Sequence, residues 1–398
     1  MFEKNEEFMK GRIFWVELNR FDTKADKSTW LEMGEVLQRE GFQVTLLTSY
    51  QEEPRQFPGY SMTIRYFPAL SVSGLFRYTL QMRILGWLWF RVKRGDIVII
   101  RPHALWSGAF LRLFRSALIH LDVRTMPVEV RGLKLRVDNV LSWIVPWRLL
   151  RWVPHSHSFI TEPLMRAIEK DFSIRFEEYT LWSSGVNVDF FAAIPPPVAK
   201  GEGDPFTFLY HGSISRNRGI GSFIQALSLV RAGLRKRLQI VIIGYGPEVI
   251  SLKLMVASLG LEGQVHFSGF VPYPEIPAAI AVGDCFICPL PDRLEWNVSS
   301  PLKVLEYLAS CRPVILTPIP AHLDIARDLA SVVWADGEGA EDLARAMEVA
   351  FDTYNELLAA TSFSRQMVAE RFSWSSQGIG LARYLGQQRH QLGMDARG

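Results

Sequence analysis

Cysteine is scarce in this 398-residue chain, which carries only Cys285, Cys288 and Cys311. An odd, low count argues against a disulfide-stapled secreted domain and fits a reducing compartment. Long apolar runs are missing as well. The most apolar patch, residues 84–90, stops at Arg91 after 7 residues, well short of the ~18 that a spanning helix needs. The opening segment MFEKNEEFMKGR is polar and acidic, so it reads as neither a signal peptide nor an Arg-rich transit peptide. No strand is followed by G-x-G-x-x-G with an acid ~20 residues on, which disfavours a dinucleotide-dependent oxidoreductase. No paired-carboxylate loop of the D-x-D kind stands out as a metal site.

What the chain does have is apolar and aromatic content. Hydrophobic residues make up 48%, aromatics 12% and charged residues 21%, with mean hydropathy +0.08. That composition excludes a disordered or fibrous chain. At roughly 100–200 residues per domain the length predicts two or three domains. Net charge is only +3 but unevenly spread. Residues 1–195 hold 26 Lys and Arg against 21 Asp and Glu, the rest 18 against 20, and nine of the twelve tryptophans lie in that first half. A basic, Trp-rich half points to a partner that is both anionic and apolar. Lysine is sparse there and no nucleic-acid motif occurs, so a membrane surface fits better than nucleic acid. Cys285 and Cys288 form a C-x-x-C inside the apolar run CFICPL with no second Cys/His pair nearby, and read as buried small hydrophobes.

Short apolar strands alternate with longer amphipathic segments, the pattern of parallel α/β units. Strands are predicted at 12–18, 42–48, 96–101, 120–126 and 156–161, with a helix at 29–41. The stretch AAIPPPVAKGEGDP (192–205) holds four prolines and is predicted to be an interdomain linker. The pattern then restarts, with strands at 206–212, 238–246, 264–269, 285–290 and 313–317 and helices near 301–310 and 340–358. The fold expected is α/β: two Rossmann-like, doubly wound domains, 1–191 and 206–375, facing across a ligand-binding cleft.

Three segments carry chemistry. In YHGSISRNRGI (210–220) a strand meets a glycine turn and then a helix start, a geometry that favours phosphate, and Arg218 adds a charge-assisted fork. VIIGYGPE (241–248) ends the next strand with Gly244 and Gly246, which suit close backbone approach. In NVSSPLKVLEYLASCRPVILT (297–317), Ser299, Ser300 and Pro301 start a helix carrying Lys303 and Glu306. Those two side chains either pair at i, i+3 on the surface or serve a ligand, Glu306 for example through ribose hydroxyls.

Taken in order, these segments resemble the retaining, GT-B-fold family 4 glycosyltransferases (glycosyl transferases group 1). The matching stretches are GSISRNRG, IIGYGPE, SGFVPYPEIP (268–277), LEYLASCRPVI (305–315) and, in the first half, TLWSSGVNVDFF (180–191). The resemblance implies sugar transfer from a UDP- or GDP-linked donor, with no cofactor and no metal. It places Glu306 on the ribose, and Gly212, Ser213 and Arg218 at the diphosphate beside the backbone of Ser300, Pro301, Leu302 and Lys303. Val271 would lie at the base. It also makes 376–398 a last helix returning to the first domain.

The chain departs from the family at Val298, where a sugar-contacting glutamate is usual, at Ser213 in place of Arg, and at Cys311 in place of Gly. NRFDTKADKST (19–29) replaces a glycine-rich loop. In the first half His103, Arg124 and Glu129 follow strand ends and are candidates for orienting or deprotonating the acceptor, or for internal pairing. The segments 77–95 and 141–153 mix apolar residues with Arg83, Trp87, Trp89, Arg91, Lys93 and Arg94, an interfacial pattern that suits anionic lipid. The acceptor implied is lipid-linked or a glycan, and the location cytoplasmic, peripheral at the inner membrane face. A nucleotide-sugar 2-epimerase of the same fold and a non-catalytic nucleotide-binding subunit are the alternatives.

Overall fold

The computed structural model describes residues 11–21, 28–50, 57, 59–70, 72, 75–127, 133–192, 194, 198–201 and 203–394. The chain divides into two compact units, Met1–Ser184 with Trp374–Gly398, and Gly185–Ser373.

The first unit holds one parallel sheet of β1 (Gly11–Arg20), β2 (Phe42–Ser49), β3 (Thr63–Tyr66), β4 (Ile97–Ile100), β5 (Leu118–Val123), β6 (Ser156–Phe159) and β7 (Thr180–Leu181), ordered β3-β2-β1-β4-β5-β6-β7. Strands β4 and β5 are buried along their whole length, as expected for central strands covered on both faces. The helices include α1 (Ser28–Arg39), α2 (Phe76–Trp89), α3 (Leu105–Arg115), α4 (Leu133–Asn139), α5 (Val145–Leu149) and α6 (Glu162–Phe172), with a π-helical segment Val140–Ile144 between α4 and α5. The C-terminal helix Trp374–Gln391 packs on α1, where Gly378 lies so close to Val36 that an added Cβ would sit 2.4 Å from its Cγ1.

The second unit repeats the plan with β8 (Phe206–His211), β9 (Leu238–Ile243), β10 (Val265–Gly269), β11 (Cys285–Cys288), β12 (Val314–Leu316) and β13 (Val332–Trp334), ordered β10-β9-β8-β11-β12-β13 and parallel throughout. Period-two alternation sends Phe208 and Tyr210 into one core and Leu209 into the other. The same alternation separates the C-x-x-C thiols, since Cys285 faces the first core and Cys288 the second. They form no common site.

The unit boundary falls at 184/185 and not at the proline-rich 192–205 segment. Val186, Phe191 and Ile194 explain the difference, because all three are buried in the second unit's core.

Candidate functional site

Four titratable side chains of the second unit, His211, Arg218, Lys303 and Glu306, gather at the carboxyl end of β8. Gly212 follows the strand with φ +127°, a conformation glycine adopts without strain. The chain then makes a 3-10 turn at Arg216–Arg218 and enters the helix Ile220–Leu229. Between these elements Gly219, at φ +70°, passes so close to the Pro289 carbonyl that a Cβ would sit 1.8 Å from its oxygen. Arg218 lays its guanidinium over the Trp296 ring at 4.4 Å. Trp296 is itself fixed by its Nε1, which donates to the Asn217 carbonyl at 2.8 Å. Arg218 Nε is buried with no hydrogen-bond acceptor.

The helix Leu302–Ala309 enters from the other side. Pro301 begins it in extended geometry, and every residue from Lys303 to Ala309 is buried. Lys303 and Glu306 are therefore interior groups, and no ion pair joins them among the described residues; burial has replaced the surface pairing that the i, i+3 spacing allows. Lys303 Nζ donates to Tyr210 Oη at 2.8 Å and lies 3.0 Å from where a Cβ on Gly212 would stand. Burial pulls its pKa down to about 7. Arg218 acts in the same direction, and Cys288 and Glu306 oppose it. Glu306, 3% exposed, has His211 Nε2 3.1 Å from its Oε2. Sequence reasoning missed His211. Its signal was a titratable side chain at the last position of a buried strand, directly before the glycine turn.

Gly244 and Gly246 approach backbone. A Cβ on either would lie 1.9 Å from the carbonyl oxygen of Gly212 or Ile214, so both are needed to seat the β9 turn against the β8 turn. Hydrogen bonds from Gly212 N to Ile243 O, Ile214 N to Tyr245 O and Gly244 N to Gly269 O lace the three successive turns together. Ser213 is exposed, and its carbonyl accepts from Tyr210 Oη at 2.8 Å. Val271 packs at the edge of the second core, while the preceding Gly269, at φ +78°, has open space beside it. Val298 is buried, and Ser300 and Leu302 are half-buried at the helix start.

In the first unit a cavity of about 280 Å³ opens beyond β1, β4 and β5. Asn19, Arg101, His103, Thr125, Asn139 and Trp143 are among its walls. Arg101 is engaged by buried Glu17 at 3.3 Å. Of the acceptor-side candidates among the described residues, His103 lines this cavity and Arg124 does not. Arg124 stacks on Trp182 at 3.5 Å and donates to its carbonyl. Asp122, two residues earlier on β5, accepts from Ser158 Oγ at 2.8 Å and Trp182 Nε1 at 3.0 Å. Glu129 lies outside the described residues.

The interfacial residues divide. Trp87 is part of the fold, edge-on to Phe14 and Phe67 and flanked by Arg65 and Arg91. Trp89 packs half-buried against Phe110 and Phe114, while Arg83, Arg91, Lys93 and Arg94 are exposed. The outward apolar stripe belongs to α3: Trp106, Phe110, Leu113 and Phe114 are all exposed, with Leu105, Gly108 and Leu111 buried on its other side. Trp106 Nε1 reaches the Leu141 carbonyl at 3.5 Å and Arg112 the Trp152 carbonyl, so the stripe continues into exposed Val140, Leu141, Leu149 and Trp152. No helix among the described residues is long and apolar enough to cross a membrane.

Two parallel, Rossmann-like sheets with these turns make the architecture that of the GT-B glycosyltransferases. Comparison with solved structures agrees on the fold. Anabaena HepE in complex with UDP superposes with TM-score 0.72 at 13% identity, covering 95% of this chain and 100% of that one. WaaG, a glycosyltransferase involved in lipopolysaccharide biosynthesis, superposes with TM-score 0.69 at 13% identity, covering 93% of this chain and 98% of that one. Residues 196–366 match the family described as glycosyl transferases group 1. The 2-deoxystreptamine glucosyltransferase of Streptomyces kanamyceticus is 28% identical over 186 residues, 45% of this chain and 46% of that protein. The chain thus spans about half the length of the curated relatives it matches.

Proposed function

We propose that the protein is a retaining glycosyltransferase that moves a sugar from a UDP-linked donor, held by the second unit, to a hydroxyl of a lipid-linked or glycan acceptor held by the first. The observation that carries the reading is the pair Lys303 and Arg218. Both cations stand beside the Gly212 turn, and neither has an ion-pair partner among the described residues. Two such cations at a glycine turn and a helix start suit a diphosphate. Glu306, on the same buried helix as Lys303, is the carboxylate for the ribose hydroxyls. The HepE complex with UDP supports uridine as the base.

In the reaction, the acceptor hydroxyl oxygen bonds to the anomeric carbon as the bond from that carbon to the diphosphate oxygen breaks. The hydroxyl proton passes to the departing diphosphate on the same face, which retains configuration. Arg218, Lys303 and the helix-start N–H groups stabilise the charge developing on the leaving group. His103 lines the first unit's cavity and is the residue proposed to orient the acceptor there.

The α3 stripe supports a membrane-borne acceptor and a peripheral site on the cytoplasmic, anionic leaflet. Segments 76–94, 105–115 and 133–153 carry eleven Lys and Arg against Asp138 alone, and that charge surrounds exposed aromatics of the kind that settle at headgroup level.

Thermal melting with UDP, GDP and ADP tests the donor site. UDP raising the melting temperature of the wild type but not of Glu306→Ala supports the reading. Equal shifts in both proteins, or none, would remove it.

A further inference from the structure

The close partner of Glu306 comes from the neighbouring strand and not from its own helix. His211 ends β8, and its imidazole is held by Tyr307 in two ways. The His211 main-chain N–H donates to Tyr307 Oη at 2.9 Å, and the two rings meet edge-on at 5.0 Å and 87°. Tyr307 is fixed in turn against the Phe286 ring at 4.6 Å. Seated this way, the imidazole places Nε2 3.1 Å from Glu306 Oε2, within ion-pair distance though off the line of a straight hydrogen bond. Both side chains are almost wholly buried.

A carboxylate withdrawn from water this far needs a donor close by. Lys303, one turn earlier on the same helix, gives its ammonium to Tyr210. Tyr307, next along the helix, has its hydroxyl oxygen engaged by the His211 main chain. Arg218 is stacked on Trp296. The imidazole is the group built to face Glu306.

We propose that His211 is a positioning residue for Glu306: it holds the carboxylate at a fixed angle, so that the carboxylate accepts from two adjacent hydroxyls of the bound nucleotide's ribose. The inference rests on the donor-site reading above. A carboxylate that accepts from both hydroxyls of a diol must keep its plane aligned with them, and one free to rotate loses that alignment and the discrimination that comes with it. A partner on β8 fixes the plane before the ligand arrives, because the strand and the helix belong to one packed core.

Calorimetric titration with UDP, 2′-deoxy-UDP and inorganic diphosphate tests this on the wild type, His211→Phe, His211→Gln and Glu306→Ala, with melting curves to check folding. The wild type is expected to prefer UDP over 2′-deoxy-UDP by roughly tenfold, the scale of one hydrogen bond to a charged acceptor. Glu306→Ala loses that preference. His211→Phe loses most of it while diphosphate affinity is unchanged, and His211→Gln, which keeps an N–H donor, recovers part. A normally folded His211→Phe protein with the full preference overturns the positioning role and leaves the donor site standing. Equal loss of affinity for all three probes in both His211 variants marks a general packing role and also overturns it. A wild type that binds UDP and 2′-deoxy-UDP alike removes the ribose role of Glu306, and the proposal with it.

Discussion

Lys303 donates from Nζ to the hydroxyl of Tyr210 at 2.8 Å, and the same ammonium lies 4.0 Å from the centre of the Tyr210 ring. This neutral partner satisfies one donor and leaves the charge uncompensated. That arrangement suits a site that awaits an anion.

The first prediction concerns protons. Burial lowers the Lys303 pKa to about 7, so near neutrality the free protein holds this group partly uncharged. A bound diphosphate favours the charged form and raises that pKa. UDP binding is therefore expected to take up a proton at pH 7–8 and to weaken as pH rises through that range. Calorimetry in two buffers of different ionisation enthalpy reads the uptake, and Lys303→Met abolishes it. The stability consequence has the opposite sign. The unfolded chain binds this proton up to the ordinary value of 10.5, so without ligand the folded state gains stability as pH rises from about 7 toward 10.5.

A second prediction separates charge from geometry at Arg218. Arg218→Ala is expected to weaken UDP binding by about ten- to a hundredfold, the range of a lost charge-assisted contact. Arg218→Lys restores only part, since an ammonium lacks the fork and the flat stacking face. Trp296→Ala removes the platform under the guanidinium and is expected to cost a few-fold. Affinities for UDP across the three variants should follow that order.

The third prediction distinguishes surface from core in the first unit. Leu113→Ser with Phe114→Ser removes two exposed apolar groups of α3, and is expected to lower partition onto phosphatidylserine vesicles by about tenfold or more without moving the melting temperature. Raising the salt should weaken the wild-type interaction as well. Trp87→Ala should behave in reverse, lowering the melting temperature by several degrees through lost packing. Co-sedimentation and thermal melting of the two variants provide the check.

Periodicity made most of the strands legible. The segments read as strands at 42–48 and 206–212 appear as Phe42–Ser49 and Phe206–His211, and the helix read at 29–41 spans Ser28–Arg39. Local composition misplaced the boundary, because four prolines mark a chain that makes no regular element and say nothing about which core its flanks enter. Val186 and Phe191 decide that by packing. The α3 stripe was present at 106, 110, 113 and 114 with helical spacing, but spacing alone does not tell an inward stripe from an outward one. Glu306 was found as a polar residue on an apolar helix. Its contact with His211 joins residues 95 positions apart, and only the pairing of β8 and β11, with the helix between β11 and β12 folding back, brings them together.

A fourth prediction follows from the laced turns. Gly244→Ala or Gly246→Ala drives a methyl into a carbonyl 1.9 Å away, and backbone there has no rotamer by which to yield. Either variant is expected to lose roughly 2–4 kcal/mol of stability, the scale of a mutation that forces packed backbone apart. Gly269→Ala, with open space beside it, pays only for its positive φ and should lose about 1 kcal/mol. Denaturant titration of the three proteins ranks them.

The first unit is assembled from both ends of the chain, and this gives the two halves different histories during synthesis. Residues 185–373 form a continuous stretch and have all their strands once that stretch has left the ribosome. The earlier half must wait. Its α1 has no cover at Val36 until the helix Trp374–Gln391, translated after the second unit, is released. At about 5–20 residues per second, the interval between α1 and its partner is some tens of seconds. During that time the nascent first unit exposes apolar surface that the finished protein hides, which makes this half, although made first, the later one to mature.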